Sequence, residues 1–204
     1  YEEAAVLYRS NAQSRAIEEA LLRVSIPYRI YGGLRFYERL EIKNAIAYLK
    51  VVFNNNDNPS FERSISNPTR GVGEKTLAKI RNTAKQFNLS YIKASAKLVD
   101  EGTIGGRGGA GLRDYLEFIA GCKSFIEENL LSELMELIIK ETGLYAYHAK
   151  EPGEKGKTRT ENLEELITAT KNFEQSVSED KTNLEIAESY LDIISLDSGD
   201  RQAS

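Results

Sequence analysis

The strongest helical signal in the chain lies at residues 41–53, which read EIKNAIAYLKVVF. Ile42, Ile46, Leu49 and Val52 recur at close to the 3.6-residue period of an α-helix, so they line one apolar face. The same periodicity continues through most of the sequence that follows. We therefore predict a mainly α fold in which residues 41–53 form an amphipathic helix.

The first thirty residues follow a different pattern. Residues 4–8 form a short apolar run typical of a buried strand, and residues 28–31 alternate in the β-rich manner of a second strand. Between them, Ser14 is a candidate N-cap for an amphipathic helix. Strand, helix and strand make one βαβ unit, which needs further strands to bury both faces of its sheet. We therefore expect a helical domain that is preceded by a partial βαβ segment.

Seven further helices are predicted downstream, separated by polar or glycine-rich segments. Their boundaries are 61–65, 74–86, 90–99, 112–129, 131–142, 161–173 and 184–194. We interpret the glycine-rich segment 102–111 as a tight interhelical turn, because glycine accepts strained backbone conformations. Segment 151–157 is predicted to be a flexible loop, and the polar residues 197–204 are expected to be mobile.

The composition limits the classes of function. With 204 residues, 41% hydrophobic and 28% charged, the chain is long enough for one domain or two small ones. The single cysteine, Cys122, allows no internal disulfide and no thiolate zinc site, and the single histidine, His148, has no neighbours that complete a catalytic set. No Gly-rich loop ending in Gly-Lys-Ser/Thr is present, so we predict no ATP site, metal site or catalytic residue. Without a leader or an apolar run near the ~20 residues of a membrane span, we expect a cytoplasmic protein.

Charge is distributed unevenly along the chain. The formal net charge is −4, but segment 69–85 carries five basic side chains against one acidic side chain, whereas segment 160–204 carries three against eleven. A local basic patch on an acidic protein is typical of a phosphate-facing surface. A solvated helix face would show the same pattern, so charge alone leaves both interpretations open.

The most informative motif is the turn at 69–77, where Gly-Val-Gly precedes an amphipathic helix. Glycine lets the backbone approach a phosphate closely, and free N–H groups at a helix start attract anions. We predict that the valine packs between two helices and that the turn contacts duplex DNA independently of base sequence, as helix-hairpin-helix turns do. The alternative is a plain glycine-capped turn between helices. The predicted contact residues are Thr69, Arg70, Gly71, Val72, Gly73, Lys75 and Thr76.

Two further segments are candidate nucleic-acid contacts. Arg9 and Asn11 follow the first predicted strand, at the strand end where α/β folds bind their ligands. Lys155, Lys157 and Arg159 lie on the predicted flexible loop, where they can follow a phosphate backbone. The alternatives are a capped strand–helix loop and a solvated loop.

Several blocks of the sequence together resemble the UvrD/Rep/PcrA group of superfamily 1 DNA helicases. The similarity covers about residues 4–175, and the blocks keep their order. They are AVLYRSNAQSR at 5–15, PYRIYGG at 27–33, Phe36, Arg39, EIK at 41–43, NPTRGVG at 67–73, GEKGKTR at 153–159 and ENLEEL at 161–166. Two positions depart from the pattern: Asn44 stands where the group usually has aspartate, and Val72 where isoleucine is more common.

The resemblance implies a domain organisation. In this group, each of two RecA-like motor domains carries a helical insertion. Residues 1–31 then belong to the second motor domain (subdomain 2A), residues 32–196 form its helical insertion (subdomain 2B), and residues 197–204 are a flexible return toward 2A. The positions that match Arg9 and Asn11 contact single-stranded DNA in the group, and those that match the Gly-Val-Gly turn and Thr76 contact duplex.

The resemblance also implies a function for the whole protein. Such a protein is an ATP-dependent 3′-to-5′ DNA helicase of DNA repair or replication restart, which uses ATP and magnesium. The Walker motifs lie outside the matching segment, so this chain is predicted to be inactive alone and to contribute DNA binding and regulation. Expected partners are duplex and single-stranded DNA, the rest of the helicase chain, and repair or replication proteins. The alternative is a helical module that docks a partner protein, whose binding would lack the steep salt dependence of phosphate contacts.

Overall fold

The computed structural model describes residues 4–8, 13–28, 30, 34–177 and 180–199. Within these ranges it contains ten α-helices and a short 3-10 helix, Phe36–Glu38, between the first two. The helices are α1 Ser14–Arg23, α2 Leu40–Phe53, α3 Asn58–Ser66, α4 Glu74–Phe87, α5 Tyr91–Asp100, α6 Gly106–Glu128, α7 Leu131–Glu141, α8 Leu144–Ala149, α9 Glu154–Ser176 and α10 Asn183–Gly199. None of them is long and apolar enough to cross a bilayer. Because α10 reaches Gly199, residues 197–199 of the expected mobile terminus are helical, and residues 200–204 lie outside the described ranges.

Helix α2 lies at the centre of the fold. Ten of its fourteen residues are buried, because α3, α6, α7 and α9 all pack against it. The Tyr48 and Tyr115 rings have centroids 5.9 Å apart, and the Tyr115 and Phe61 rings meet edge to face at 5.5 Å. These rings join α2, α6 and α3 in one aromatic cluster. The mainly α fold class predicted from the periodicity is confirmed.

The described part of the first thirty residues contains α1 but neither predicted strand. Residues 4–8 have no strand hydrogen bonds, and the Leu7 side chain is 95% exposed. Residues 28 and 30 are also outside any strand, and residues 29 and 31 are not among those described. A strand is stable only when another strand satisfies its N–H and C=O groups, and the described residues supply none. The two strands of the expected βαβ segment are therefore not formed in this part of the chain.

Helix α6 begins at Gly106, so the glycine-rich segment 102–111 is not the interhelical turn that the sequence predicted. The turn ends at residue 105, and the later glycines lie inside the helix. They allow close packing, because a Cβ on Gly111 would overlap the carbonyl oxygen of Arg70. Glycine is needed here where two backbones touch, and a run of glycines in the sequence does not distinguish that need from a turn.

Helix α9 begins at Glu154, so most of the predicted flexible loop 151–157 is helical. The connection from α8 is short, and Gly153 makes its turn with φ = +71°. Gly156 then lies against the segment that ends α8, where a Cβ would overlap two carbonyl oxygens. The glycines and lysines of this block suggested a mobile loop, but Gly156 is required for contact between two helices.

Alanine substitutions of two glycines in α6 test this packing. Gly121→Ala places a methyl group where nothing lies within 4 Å, so it is expected to raise the free energy of unfolding by about 0.5–1 kcal/mol through better helix propensity. Gly111→Ala is expected to lower the free energy of unfolding by about 1–3 kcal/mol, because its Cβ displaces the Arg70 backbone. Urea unfolding measures both effects. Equal shifts for the two variants would contradict the proposed backbone contact.

Candidate nucleic-acid interface

The turn between α3 and α4 places its residues in different environments. Gly71 adopts φ = +75°, a left-handed conformation that favours glycine. Val72 is 8% exposed and packs into the core, as predicted. Gly73 is the N-cap of α4, and because it has no side chain it leaves the first helical turn without a side-chain cap. The turn is exposed at Thr69, Gly71, Gly73 and Lys75, and half-buried at Thr76.

Arg70 points into the protein rather than along the surface of the turn. Its Nη2 donates to the Tyr48 hydroxyl at 2.7 Å and to the Thr142 carbonyl oxygen at 3.2 Å. The guanidinium also lies 5.7 Å from the centre of the Tyr48 ring. Arg70 therefore holds the turn against α2 and the end of α7. The predicted duplex contact through Arg70 has no support in this arrangement.

The start of α6 lies against the same turn and brings in a cation that the sequence analysis did not select. A Cβ on Gly71 would lie 3.2 Å from both Cγ and the carbonyl oxygen of Arg107. A Cβ on Gly108 would lie 3.1 Å from the Gly71 carbonyl oxygen and 3.6 Å from the Thr76 hydroxyl oxygen. The Arg107 side chain is exposed. Arg107 lies in the glycine-rich segment 102–111, which the sequence predicted to be an interhelical turn. It is far along the chain from the turn at 69–77, so no local sequence pattern connects Arg107 with that turn.

Lys79 connects the next turn of α4 to the same region. Its Nζ donates to the Thr103 carbonyl oxygen at 3.2 Å, and the side chain is exposed. No acidic residue occurs between 102 and 113. We call the solvent-facing set Thr69, Gly71, Gly73, Lys75, Thr76, Lys79 and Arg107 the α4–α6 surface.

One carboxylate stands at the edge of the α4–α6 surface. Glu74 is the first residue of α4, and its Oε1 accepts from Arg81 Nη1 at 2.6 Å. The Nε and Nη2 of Arg81 donate to the two oxygens of Glu62 on α3, both at 2.6 Å. The Glu62 and Glu74 carboxylates raise the pKa of Arg81 above its ordinary value, so the guanidinium is a permanent cation. Arg81, on α4, thus pairs both with Glu62 on α3 and with Glu74 at the start of α4.

The predicted single-strand contacts, Arg9 and Asn11, lie outside the described residues. Their role remains a prediction from the sequence.

The three basic residues predicted on a DNA-binding loop lie on the first two turns of α9 instead. Arg159 lies between two carboxylates: its Nη1 is 2.5 Å from Glu151 Oε1, and its Nε is 3.6 Å from Glu41 Oε2. Lys155 Nζ is 3.4 Å from the other oxygen of Glu151. Two of the three cations are therefore paired within the protein. Lys157 is exposed on α9.

Glu41 and Glu151 belong to a polar network that joins α1, α2, α8 and α9. His148 Nδ1 lies 2.6 Å from Glu151 Oε1, and Asn162 Nδ2 donates to Glu41 Oε1 at 2.6 Å. Arg39 donates to the Asn162 amide oxygen at 3.0 Å and to a serine hydroxyl at the start of α1 at 2.8 Å. Most of these side chains are buried, so their hydrogen bonds offset the cost of desolvation. The single histidine is buried and is bound to Glu151 within this network.

Metal ligands and the single thiol were the remaining candidate groups among the described residues. No group of three or more His, Cys, Asp or Glu side chains among them is placed to hold a metal ion. Burial raises the pKa of the Cys122 thiol to about 12, so it is protonated and unreactive at neutral pH. The α4–α6 surface combines exposed glycines with exposed basic side chains from α4 and α6.

Known proteins match almost the whole chain. The UvrD-like helicase C-terminal domain family matches residues 1–101. DNA helicase II of Escherichia coli (strain K12) is 44% identical over 201 residues, which are 98% of this chain and 28% of that protein. ATP-dependent DNA helicase PcrA of Bacillus subtilis (strain 168) is 39% identical over 178 residues, 87% of this chain and 24% of that protein. The chain thus spans about a quarter of the length of these curated relatives.

These matches agree with the sequence blocks at 5–15, 67–73 and 153–159, and the matched proteins are DNA helicases. The chain belongs to the UvrD-like helicase family, in the group that contains DNA helicase II and PcrA.

The network around Glu151 predicts a pH dependence of stability. The His148 ring, then Arg159 and Lys155, lower the pKa of Glu151 from 4.5 to about 2. Because the folded state lowers this pKa, the ionised carboxylate stabilises the fold above pH 4.5, and that stabilisation is lost as the pH falls toward 2. Glu151→Gln is therefore expected to be less stable than the parent at neutral pH, by a margin that shrinks below pH 4.5.

Urea unfolding at a series of pH values measures this margin. The matched control is Glu117→Gln, at an exposed position on α6 outside the network. A Glu151→Gln margin that is the same in acid as at neutral pH would contradict the assigned role of the carboxylate.

Proposed function

We propose that the chain is a DNA-binding and regulatory part of an ATP-dependent 3′-to-5′ DNA helicase that acts in DNA repair or replication restart. In this proposal residues 32–196 are subdomain 2B, which contacts duplex DNA through the α4–α6 surface. Residues 1–31 belong to motor subdomain 2A, where Arg9 and Asn11 contact the single strand, and residues 197–204 return toward 2A. ATP and magnesium act elsewhere in the whole protein. Its further partners are the rest of the helicase chain and repair or replication proteins.

The observation that carries the proposal is the contact between the Gly71 turn and the start of α6. It brings Arg107 to the turn that already holds Lys75 and Thr76, although the two segments are distant in sequence. A surface assembled from separate segments, with basic side chains exposed on both, supports a binding role better than a single basic helix face does.

The chemistry of the α4–α6 surface suits a phosphate backbone. The exposed glycines leave room for a phosphate to approach the main chain, and the first turn of α4 supplies N–H donors. Lys75, Lys79 and Arg107 add positive charge. Contacts of this kind do not read base edges. A surface of this type therefore suits a protein that has to move along DNA of any sequence. Lys157, exposed on α9, is a second and smaller candidate contact.

Binding of this chain to a fluorescent duplex with a 3′ single-stranded tail, titrated at several salt concentrations, tests the proposal. Each phosphate contact lowers the slope of log affinity against log salt by about 0.9. Lys75→Gln and Arg107→Gln are each expected to weaken binding and to make this slope shallower by about one contact. The combined variant is expected to lose about two.

Arg113→Gln is the matched control, because Arg113 is exposed on α6 but lies six residues after Arg107, on another face of the helix. It is expected to leave the slope nearly unchanged. Absence of duplex binding at low salt, or equal effects of all three substitutions, would contradict duplex contact through the α4–α6 surface and favour a protein-docking role for the helical domain.

A further inference from the structure

Glu74 is placed where it can compete with a phosphate. It is the only acidic residue between positions 67 and 81, and it is the first residue of α4, next to the N-cap Gly73. A carboxylate near a helix N-terminus is attracted to the free N–H groups and to the positive end of the helix dipole. These are the donors that the proposed function assigns to DNA. An unrestrained Glu74 side chain would therefore occupy, or repel anions from, the site that the phosphate needs.

Arg81 restrains that carboxylate. It lies two turns further along α4, and its Nη1 donates to Glu74 Oε1 at 2.6 Å. The direction of this contact leads the Glu74 side chain along α4, away from the helix start. The Glu74 side chain is otherwise largely in solvent, with 74% of its surface exposed, so Arg81 is the contact that determines where its charge lies.

Glu62 holds Arg81 in the orientation that this requires. Both oxygens of Glu62 accept from Arg81, through Nε and Nη2, in a planar two-pronged pair. Such a pair fixes the plane of the guanidinium, and the remaining nitrogen, Nη1, then points at Glu74. Lysine would hold the Glu74 carboxylate less firmly, because an ammonium group has no fixed fork. Three nitrogens of Arg81 are each engaged with a carboxylate, which argues against a main role as a direct phosphate contact.

We propose that Arg81 is a positioning residue for duplex binding, which keeps the phosphate site at the start of α4 open by holding the Glu74 carboxylate away from it. The inference rests on the proposed function, since it needs DNA to bind at the α4–α6 surface. Arg81 then affects DNA only through Glu74. Loss of Arg81 makes Glu74 an internal competitor, and removal of the Glu74 charge makes Arg81 dispensable for binding.

A double-mutant cycle on the full 204-residue chain tests this dependence. Duplex affinity is measured for the parent, Arg81→Gln, Glu74→Gln and the double variant at one low salt concentration. Arg81→Gln is expected to weaken binding roughly two- to fivefold, the usual range for one charge at a helix terminus. Glu74→Gln is expected to bind at least as tightly as the parent. The double variant is expected to bind as tightly as Glu74→Gln alone, because no competitor remains.

Two further variants separate charge from geometry. Lys85→Gln removes the same charge from an exposed position one turn beyond Arg81, and is expected to change affinity less than Arg81→Gln does. Arg81→Lys keeps the charge but not the fork, and is expected to lie between the parent and Arg81→Gln. Far-ultraviolet circular dichroism and thermal melting of every variant verify the fold. If Arg81→Gln does not fold, Arg81→Lys takes its place in the cycle.

The outcome that would overturn the inference is a loss of affinity from Arg81→Gln that is equal with and without the Glu74→Gln change. Arg81 would then contact DNA itself or act through α3. If the parent binds duplex and Lys75→Gln weakens that binding, such a result removes only the role assigned to Arg81. If the parent does not bind duplex, the proposed function and this inference both fail.

Discussion

The start of α6 touches the backbone of the turn at residues 70 and 71 so closely that no side chain fits between them. The form of the α4–α6 surface depends on this contact. Gly111 lies on the Arg70 carbonyl and Gly108 on that of Gly71, so the start of α6 cannot shift without moving the turn. On the inner side, the Arg70 guanidinium ties the same turn to Tyr48 and Thr142. Because close-packed interiors transmit displacement, the position of every exposed group on this surface is set by the packing beneath it.

The polar network at the start of α9 gives two residues of the block at 153–159 a structural role. In the GEKGKTR sequence at 153–159, Gly156 is needed for contact with the end of α8, and Arg159 lies between Glu41 and Glu151. Buried charges are tolerated only when they are paired and hydrogen-bonded, and removal of one partner leaves the other uncompensated. Gly156 and Arg159 are therefore used within the protein, whereas the Gly71 turn lies on an exposed surface.

Local charge matters more than net charge in this protein. A formal charge of −4 repels DNA at long range. Under the proposed function, binding through a small basic surface on an acidic body favours one orientation of the duplex over the others. A single carboxylate that points into such a small basic surface would weaken duplex binding there. The ion pairs of Arg81 with Glu62 and Glu74 add little to stability at an exposed site. Their main effect in the proposed function is to fix the position of the Glu74 carboxylate.

The sequence by itself determined the helices other than α8, apart from the early starts of α6 and α9, together with the burial of Val72 and the helicase family. Apolar periodicity, turn chemistry and ordered motifs are properties of neighbouring residues. Only the tertiary structure decided that Gly108, Gly109 and Gly111 serve packing, that Arg70 points inward, that Arg159 is paired, and that Arg107 joins the turn. It also decided that residues 4–8 form no strand in the described part of the chain. Each of these outcomes depends on which carbonyl, carboxylate or strand lies opposite in space. That information comes from residues far away in the chain and leaves no trace in the local pattern.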